Sequence, residues 1–106
     1  MLSKEENELL TRVGSGTPAG EMLRRYWWPV GFSALVKEKS SPTKIRLLGE
    51  DFVLFRDGGG RLGLVDLHCS HRGTSLEFGR VEDQGLRCCY HGWLYDVNGR
   101  CLEQPA

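Results

Sequence analysis

Two short stretches, HCSHRG at residues 68–73 and CCYHGW at residues 88–93, hold all three histidines of this chain and three of its four cysteines. The first residues show no basic start followed by an apolar run, so we expect no secretory signal. Cysteines in a cytosolic chain are more often metal ligands or free thiols than a disulfide framework, because cytosolic thiols are kept reduced. The concentration of thiols and imidazoles in two places therefore predicts a metal centre.

The candidate ligands form one thiol and imidazole pair on each stretch. Cys69 and His71 come from the first stretch, and His91 comes from the second with either Cys88 or Cys89. A glycine follows each pair, and a residue without Cβ allows the tight turn and close backbone approach that such a loop needs. Sixteen residues separate His71 from Cys88, which is enough for two strands to leave one loop and return at the other. Two facing loops would then present four ligands.

Two kinds of centre accept two cysteines and two histidines. Zinc takes this set as a tetrahedral structural site, whereas a Rieske-type [2Fe-2S] cluster binds one iron through two cysteines and the other through two histidines. Zinc fingers group the cysteines in one half of the motif and the histidines in the other. Here each half carries one of each, which favours the cluster and leaves a zinc-binding interaction module as the alternative.

The residues around these ligands resemble the Rieske motif of ring-hydroxylating oxygenases. The first half reads Cys-x-His-Arg-Gly and is followed by Leu76 and Gly79, and the second half reads Cys-x-x-His-Gly-Trp-x-Tyr-Asp from Cys88. The segment GTPAGEMLRRYWWPV, residues 16–30, is similar to the segment that precedes the Rieske domain in oxygenase subunits of the phthalate dioxygenase and vanillate demethylase type. The resemblance covers nearly the whole chain.

The resemblance implies a Rieske [2Fe-2S] cluster as the cofactor and no catalytic residue within the chain. The cluster ligands that it implies are Cys69, His71, Cys88 and His91. The family pattern thus selects Cys88 over Cys89, and we expect Ser70 or the Tyr90 hydroxyl to donate a hydrogen bond to the centre. Rieske proteins of the respiratory complexes carry an extra, disulfide-bonded cysteine in each loop. Thr74 and Tyr90 stand at these positions, which indicates the oxygenase-linked branch.

The first 29 residues are predicted to be a helical leader. Ser3 and Glu6 form a potential capping box for a helix that continues to about Val13. Thr17 is a potential N-cap and Pro18 a favourable first residue for a second helix. The Arg24–Arg25 pair is predicted to be a solvated helix face.

Short apolar or β-branched runs separated by turn residues follow, and this pattern predicts antiparallel strands. The predicted strands are Phe32–Val36, Lys44–Leu48, Phe52–Phe55, Leu62–Leu67, Leu86–Cys89 and Trp93–Val97. Residues 49–51 and 57–60 are predicted hairpin connections, and Asn98-Gly99 is the strongest signal for a type I′ turn.

We therefore expect a mostly β fold. With the resemblance, it becomes an antiparallel Rieske-type β-sandwich with a small cluster-binding subdomain, preceded by the short helical leader. The expected division is a leader at residues 1–29 and a Rieske [2Fe-2S] domain at residues 30–106, with the cluster-binding loops at about 67–93.

Composition and charge indicate no further partner. Fourteen basic side chains balance fourteen acidic ones, and no block of like charge predicts a nucleic-acid patch. No apolar stretch approaches the roughly 18 residues that are needed to cross a bilayer. We therefore expect a cytoplasmic protein that binds neither nucleic acid nor a membrane.

The histidine count limits the chemistry expected of these 106 residues. In the oxygenases that the chain resembles, the Rieske domain receives electrons from a reductase or ferredoxin and passes them to a mononuclear iron in an oxygenase domain, held by two histidines and a carboxylate. With His71 and His91 on the cluster, only His68 remains. We therefore expect the N-terminal electron-transfer module of an oxygenase or demethylase, truncated before its catalytic domain and not catalytically complete. A free-standing Rieske-type ferredoxin is the alternative, and the resemblance also implies a homotrimer.

Overall fold

The computed structural model describes residues 1–105, and these residues form two compact units. The first unit contains Met1–Val30 and Arg46–Glu50, and the second contains Gly31–Ile45 and the residues from Asp51 onward. Along the described chain, two α-helices precede seven strands: Lys4–Thr11 (α1), Pro18–Leu23 (α2), Thr43–Leu47 (β1), Glu50–Arg56 (β2), Leu62–Asp66 (β3), Arg80–Val81 (β4), Leu86–Arg87 (β5), Leu94–Tyr95 (β6) and Cys101–Glu103 (β7).

Both predicted helices form, and their predicted caps are confirmed. The Ser3 hydroxyl accepts from the Glu6 N–H at 3.1 Å, and the Glu6 carboxylate accepts from the Ser3 N–H at 2.7 Å. The Thr17 hydroxyl likewise accepts from the Gly20 N–H at 3.1 Å, with Pro18 as the first helical residue. Neither helix of residues 1–105 has the length and apolar character that a membrane span would require.

Arg24 is not the solvated side chain that its position on the leader predicted. Its guanidinium donates to the carbonyl oxygens of Val13 at 2.9 Å and Leu48 at 3.1 Å, and it pairs with the Glu50 carboxylate at 2.8 Å. These partners are far from Arg24 in sequence, so no local pattern could have indicated them. Arg24 therefore connects α2 with residues 46–50 inside the first unit.

The strands form two sheets, with the orders β1-β2-β3 and β4-β5-β6-β7. In the first sheet, β2 and β3 are antiparallel, with Val53 opposite Val65 and Phe55 opposite Gly63. In the second, each of the three neighbouring pairs is antiparallel. The prediction of a mostly antiparallel β fold with a short helical leader is thus confirmed.

The predicted strand Phe32–Val36 is wrong. Ser33–Leu35 form a single turn of 3-10 helix, in which the Val36 N–H donates to the Ser33 carbonyl at 3.1 Å. The reason lies in Arg56, whose guanidinium donates to the carbonyl oxygens of Val36 at 2.7 Å and Ser33 at 3.1 Å. A side chain therefore satisfies the backbone acceptors that a neighbouring strand would otherwise satisfy.

The type I′ turn lies at Leu48-Gly49 and not at Asn98-Gly99 as predicted. Leu48 and Gly49 have φ values of 51° and 79°, the two positive values that this turn requires. At the other hairpin only Gly99 has a positive φ, of 81°. There the Asp96 carboxylate accepts from the backbone N–H groups of Asn98 and Arg100, both at 2.9 Å, and holds a longer turn.

The later predicted strands are shorter in the structure than in the prediction. Leu86–Cys89 and Trp93–Val97 are reduced to β5 and β6, because the backbone of Cys88 and Trp93 belongs to a loop instead. The two-residue strand β4 is too short to give a periodic pattern and was not predicted.

One hydrophobic core lies in the second unit, and two cysteines belong to it. The buried members are Val53, Phe55, Val65, Leu67, Cys69, Leu76, Val81, Leu86, Cys88 and Tyr95. Trp93, Val97 and Cys101 pack against this cluster. Two of the predicted ligand thiols are therefore held by the same packing that stabilises the fold.

The turn between β2 and β3 is built around a fully buried carboxylate. Asp57 Oδ1 accepts from the N–H groups of Gly59 and Arg61 at 3.0 and 2.9 Å, and Oδ2 accepts from Arg61 Nε at 2.8 Å. The half-buried Asp96 holds the turn between β6 and β7 in the same way, through hydrogen bonds from the backbone. Both turns have the pattern Asp-x-x-Gly-Arg, at residues 57–61 and 96–100.

Replacing the buried carboxylate should destabilise the protein strongly. We expect Asp57→Ala to lower the free energy of unfolding by about 2–4 kcal/mol, because two backbone N–H groups and the Arg61 guanidinium lose a fully buried acceptor. Asp96→Ala is the matched control, and its loss should be about 1 kcal/mol because the Asp96 carboxylate is only half-buried. Urea denaturation measures both values, and equal losses would contradict the role of burial.

Candidate metal centre

The first of the two predicted ligand stretches folds into a closed loop that runs from Cys69 to Thr74. The Cys69 N–H donates to the Thr74 carbonyl at 2.8 Å, and the Gly73 N–H donates to the Cys69 carbonyl at 2.7 Å. Gly73 has a φ of +75°, a conformation that L side chains rarely adopt. Inside the loop, the backbone N–H groups of His71 and Arg72 point at the Cys69 sulfur.

The second loop, from Cys88 to Trp93, repeats these hydrogen bonds. The Cys88 N–H donates to the Trp93 carbonyl at 2.8 Å, and the Gly92 N–H donates to the Cys88 carbonyl at 3.2 Å. Gly92 has a φ of +79°. The N–H groups of Tyr90 and His91, again two and three residues after the cysteine, point at the Cys88 sulfur.

The correspondence between the loops identifies the equivalent of Cys69. In each loop the glycine stands four residues after the cysteine that the backbone encloses, a spacing that matches Cys88 and not Cys89. Burial distinguishes them further, since Cys69 and Cys88 are 3% and 4% exposed while Cys89 lies on the surface. The Cys-x-x-x-Gly spacing was visible in the sequence and could have separated the two cysteines there.

The two enclosed thiols lie against each other, and their environments differ. Burial by itself would raise the pKa of the Cys69 thiol, but the Tyr95 hydroxyl and the loop N–H groups outweigh burial and lower it. Burial raises the pKa of the Cys88 thiol, and the neighbouring Cys69 adds to that increase. The site therefore favours a thiolate at Cys69 first.

The two imidazoles lie together on the more exposed side of the site. The ring centroids of His71 and His91 are 4.7 Å apart, and the Trp93 ring stacks on His71 at 4.4 Å with an interplanar angle of 8°. Partial burial, His91 and Arg72 all lower the pKa of His71. The neutral imidazole, which is the form that binds a metal, is thereby favoured.

The donor set fits a [2Fe-2S] cluster of the Rieske type. Two thiols are buried and adjacent, and two imidazoles are adjacent and nearer to solvent, so the donors are arranged as two pairs. Each thiol also faces two backbone N–H groups, which stabilise a negatively charged sulfur. Within residues 1–105, no three His, Cys, Asp or Glu side chains converge as they would on a single metal ion.

Tyr95 is a residue of the site that sequence reasoning missed. Its buried hydroxyl lies 3.2 Å from the Cys69 sulfur and 2.7 Å from the Ser70 hydroxyl, and it accepts from the Ser70 N–H at 3.2 Å. Ser70 or Tyr90 was expected in this role. The Ser70 hydroxyl contacts Tyr95, and Tyr90 is 63% exposed and lies beside the His91 ring. The only signal was a tyrosine at the end of the run HGWLY.

Cys101 and His68 lie in different surroundings from the predicted ligands. Cys101 is half-buried on the final strand β7, where its sulfur contacts the Glu103 carbonyl at 3.4 Å. His68 does not belong to the predicted ligands Cys69, His71, Cys88 and His91, and its Nδ1 is 3.1 Å from the Gly73 carbonyl.

Arg87, which directly precedes the second loop, is the centre of an ion-pair network. Its guanidinium contacts both oxygens of Glu82, at 2.7 and 3.0 Å, and reaches Glu103 at 2.8 Å. Arg80 pairs with the same Glu82 at 2.7 Å. Hydrogen bonds from Arg87, and then from Arg80, lower the pKa of Glu82 to about 2 despite partial burial.

The depressed pKa of Glu82 predicts a pH-dependent contribution to stability. The contribution should be complete above pH 4.5, the ordinary value for the carboxyl group, and should be lost as the pH falls toward about 2. We expect Glu82→Gln to be less stable than the wild type by about 1–2 kcal/mol near pH 6, with a smaller difference at lower pH. Urea denaturation of both proteins at each pH measures this difference. A difference that grew with falling pH would contradict the prediction.

Residues 26–106 match the family described as the Rieske [2Fe-2S] domain. The chain is 59% identical over 97 residues to the phenoxybenzoate dioxygenase subunit alpha of Ectopseudomonas oleovorans, which covers 92% of this chain and 23% of that protein. It is 52% identical over 105 residues to the 5,5'-dehydrodivanillate O-demethylase oxygenase subunit of a Sphingobium species, covering 99% of this chain and 24% of that protein.

Solved structures show the same fold. NdmA of Pseudomonas putida CBB5 superimposes with a TM-score of 0.71 at 32% identity, covering 80% of this chain and 27% of that chain. Dicamba monooxygenase bound to dicamba gives a TM-score of 0.72 at 25% identity, covering 79% and 26%. The chain thus spans about a quarter of the length of the proteins that it matches.

Proposed function

The chain belongs to the Rieske [2Fe-2S] domain family, and from this premise we propose that it is the electron-transfer module of an aromatic-ring dioxygenase or O-demethylase. Its cofactor is a Rieske [2Fe-2S] cluster, which accepts and releases one electron when it is bound. The activities named for the relatives belong to proteins about four times as long. The module would supply electrons to a dioxygenase or O-demethylase reaction that is carried out by residues outside these 106.

Four side chains are proposed to hold the cluster. Cys69 and Cys88 would bind one iron, and His71 and His91 would bind the other. The observation that carries the proposal is the arrangement in two pairs, with adjacent buried thiols and adjacent imidazoles nearer to solvent. Zinc would instead require four donors that converge on one point.

The surrounding residues perform three tasks in this proposal. The core around Cys69 and Cys88 keeps the thiols from solvent, which limits their oxidation. The loop N–H groups and the Tyr95 hydroxyl stabilise negative charge on the sulfurs. The exposed ring of His91 offers a short route for an electron to a docked partner.

The electron donor would be a reductase or a ferredoxin, and the acceptor a mononuclear iron domain within a homotrimeric assembly. A facial triad needs two histidines and a carboxylate. His68 is the single histidine left beside the proposed ligands, and its Nδ1 already faces the Gly73 carbonyl. Other residues must therefore supply the histidines for that iron.

Metal analysis and spectroscopy of the purified chain test the proposal. We expect two irons and two acid-labile sulfides per chain, a red-brown oxidised protein and uptake of one electron by titration with dithionite. A colourless protein that binds one zinc per chain would overturn the proposal in favour of an interaction module.

A further inference from the structure

The side chain directly before each enclosed cysteine binds the glycine carbonyl of the same loop. His68 Nδ1 lies 3.1 Å from the Gly73 carbonyl oxygen, and Arg87 Nη1 donates to the Gly92 carbonyl oxygen at 2.7 Å. Each contact spans five residues and joins the position before the cysteine to the glycine four residues after it. The two loops therefore share a side-chain contact as well as their backbone hydrogen bonds.

We propose that His68 and Arg87 are equivalent positioning residues, which hold the two ligand loops closed around the cluster. The inference rests on the proposed ligand set of Cys69, Cys88 and the two imidazoles, since it concerns the loops that carry them. Neither His68 nor Arg87 would touch the cluster. Each would act through the glycine that it binds.

His68 is fixed in the orientation that this role needs. A carbonyl oxygen can only accept, so the contact requires the proton on Nδ1 of the imidazole. The backbone N–H of His68 also donates to Asp66 Oδ1 at 3.1 Å, and His68 pairs with Ser75 in an isolated antiparallel bridge. The backbone on both sides of the first loop is thus held where the side chain reaches Gly73.

Arg87 is fixed more firmly, because three acceptors hold its guanidinium. Glu82 binds it with both carboxylate oxygens and Glu103 binds it at 2.8 Å, which directs Nη1 toward Gly92. The side chain is only 20% exposed. A charged donor held in one direction makes a stronger hydrogen bond than a mobile one.

A hydrogen bond to the carbonyl of Gly73 or Gly92 can fix the backbone N–H groups that point at the cysteine sulfur of the same loop. Gly73 and Gly92 both have left-handed φ values, so the peptide that follows each could rotate if its carbonyl lost its partner. Each glycine N–H closes the loop whose other N–H groups point at the sulfur. Rotation there would loosen both the N–H groups and the histidine ligand within the loop.

For the first loop, the test compares two replacements of His68 in the full, cluster-loaded chain. His68→Leu removes the donor at similar volume, whereas Asn places its side-chain nitrogen where His has Nδ1, so His68→Asn should restore the contact. We expect His68→Leu to lose its cluster about tenfold faster than wild type under an iron chelator, with a changed visible circular dichroism spectrum. His68→Asn should match wild type within about twofold.

For the second loop, Arg80→Met is the matched control for Arg87→Met. Both substitutions remove a positive charge beside Glu82, but only Arg87 contacts a loop glycine. We expect about tenfold faster cluster loss in Arg87→Met and near wild-type loss in Arg80→Met. If Arg87→Met fails to fold, the exposed His68 position still carries the test.

The outcomes separate this inference from the proposed function. Rates and spectra of His68→Leu equal to those of His68→Asn would overturn the inference, and so would equal effects of the two arginine substitutions. These results would leave the proposed function in place if wild type carries the cluster. A wild type without a [2Fe-2S] spectrum would overturn both.

Discussion

Cys88→Ala should abolish the visible absorption of the [2Fe-2S] cluster, while Cys89→Ala should retain it. Cys88 is buried beside Cys69, and two backbone N–H groups of its own loop point at its sulfur. Cys89 is exposed and stands outside the spacing to the glycine that both loops share. The iron proposed to be bound by Cys69 and Cys88 has two protein ligands, and Cys88→Ala leaves it with only one buried thiol.

Iron content and absorbance of the two purified variants measure this effect. We expect cluster occupancy to fall at least about tenfold in Cys88→Ala and to stay within about twofold of wild type in Cys89→Ala. Cys89→Ala is a close control, because it makes the same chemical change at the adjacent residue. A visible cluster in Cys88→Ala would contradict the proposed ligand set, and loss in both variants would contradict the selection of Cys88 over Cys89.

Tyr95→Phe should lower the reduction potential by roughly 40–80 mV, which corresponds to about 1–2 kcal/mol for a one-electron couple. The Tyr95 hydroxyl lies 3.2 Å from the Cys69 sulfur. The Tyr95 oxygen accepts from the Ser70 N–H, so the hydroxyl proton of Tyr95 is available for a second hydrogen bond. A metal-bound thiolate has no proton and can only accept, so Tyr95 would donate to the Cys69 sulfur. This hydrogen bond stabilises the reduced state more, since that state carries more negative charge.

Protein-film voltammetry measures the potential, and two other variants identify its cause. Tyr90→Phe removes a hydroxyl from an exposed ring beside His91 and should change the potential by less than about 10 mV. Ser70→Ala removes a group that contacts Tyr95 and should give a smaller shift than Tyr95→Phe. An unchanged potential in Tyr95→Phe, or an equal shift in Tyr90→Phe, would contradict the assignment.

The helical leader shows where local sequence is sufficient for prediction. Ser3 with Glu6, and Thr17 with Pro18, cap helices through contacts within three residues, and both caps form as predicted. Local reasoning failed where a distant side chain supplied the partner. Arg56 donates to the Ser33 carbonyl in the 3-10 turn at residues 33–35, and Arg24 donates to acceptors up to 26 residues away.

The sequence by itself predicted a Rieske [2Fe-2S] cluster, and the family match of residues 26–106 confirms this cofactor. The donor set of Cys69, His71, Cys88 and His91 stays a prediction. The sequence also determined the mostly antiparallel β fold, since alternating short strands and turn residues leave few other solutions. The assignment of the ligands to individual atoms of iron stays a prediction.

Only the tertiary structure decided what surrounds the donors. Tyr95 reaches Cys69 from 26 residues away, Trp93 of the second loop stacks on His71 of the first, and His68 binds a glycine carbonyl instead of joining the donor set. The contacts made by Tyr95 and Trp93 have no local period or spacing. They arise because the core packs Cys69, Cys88 and Tyr95 into one cluster and so brings the two loops together.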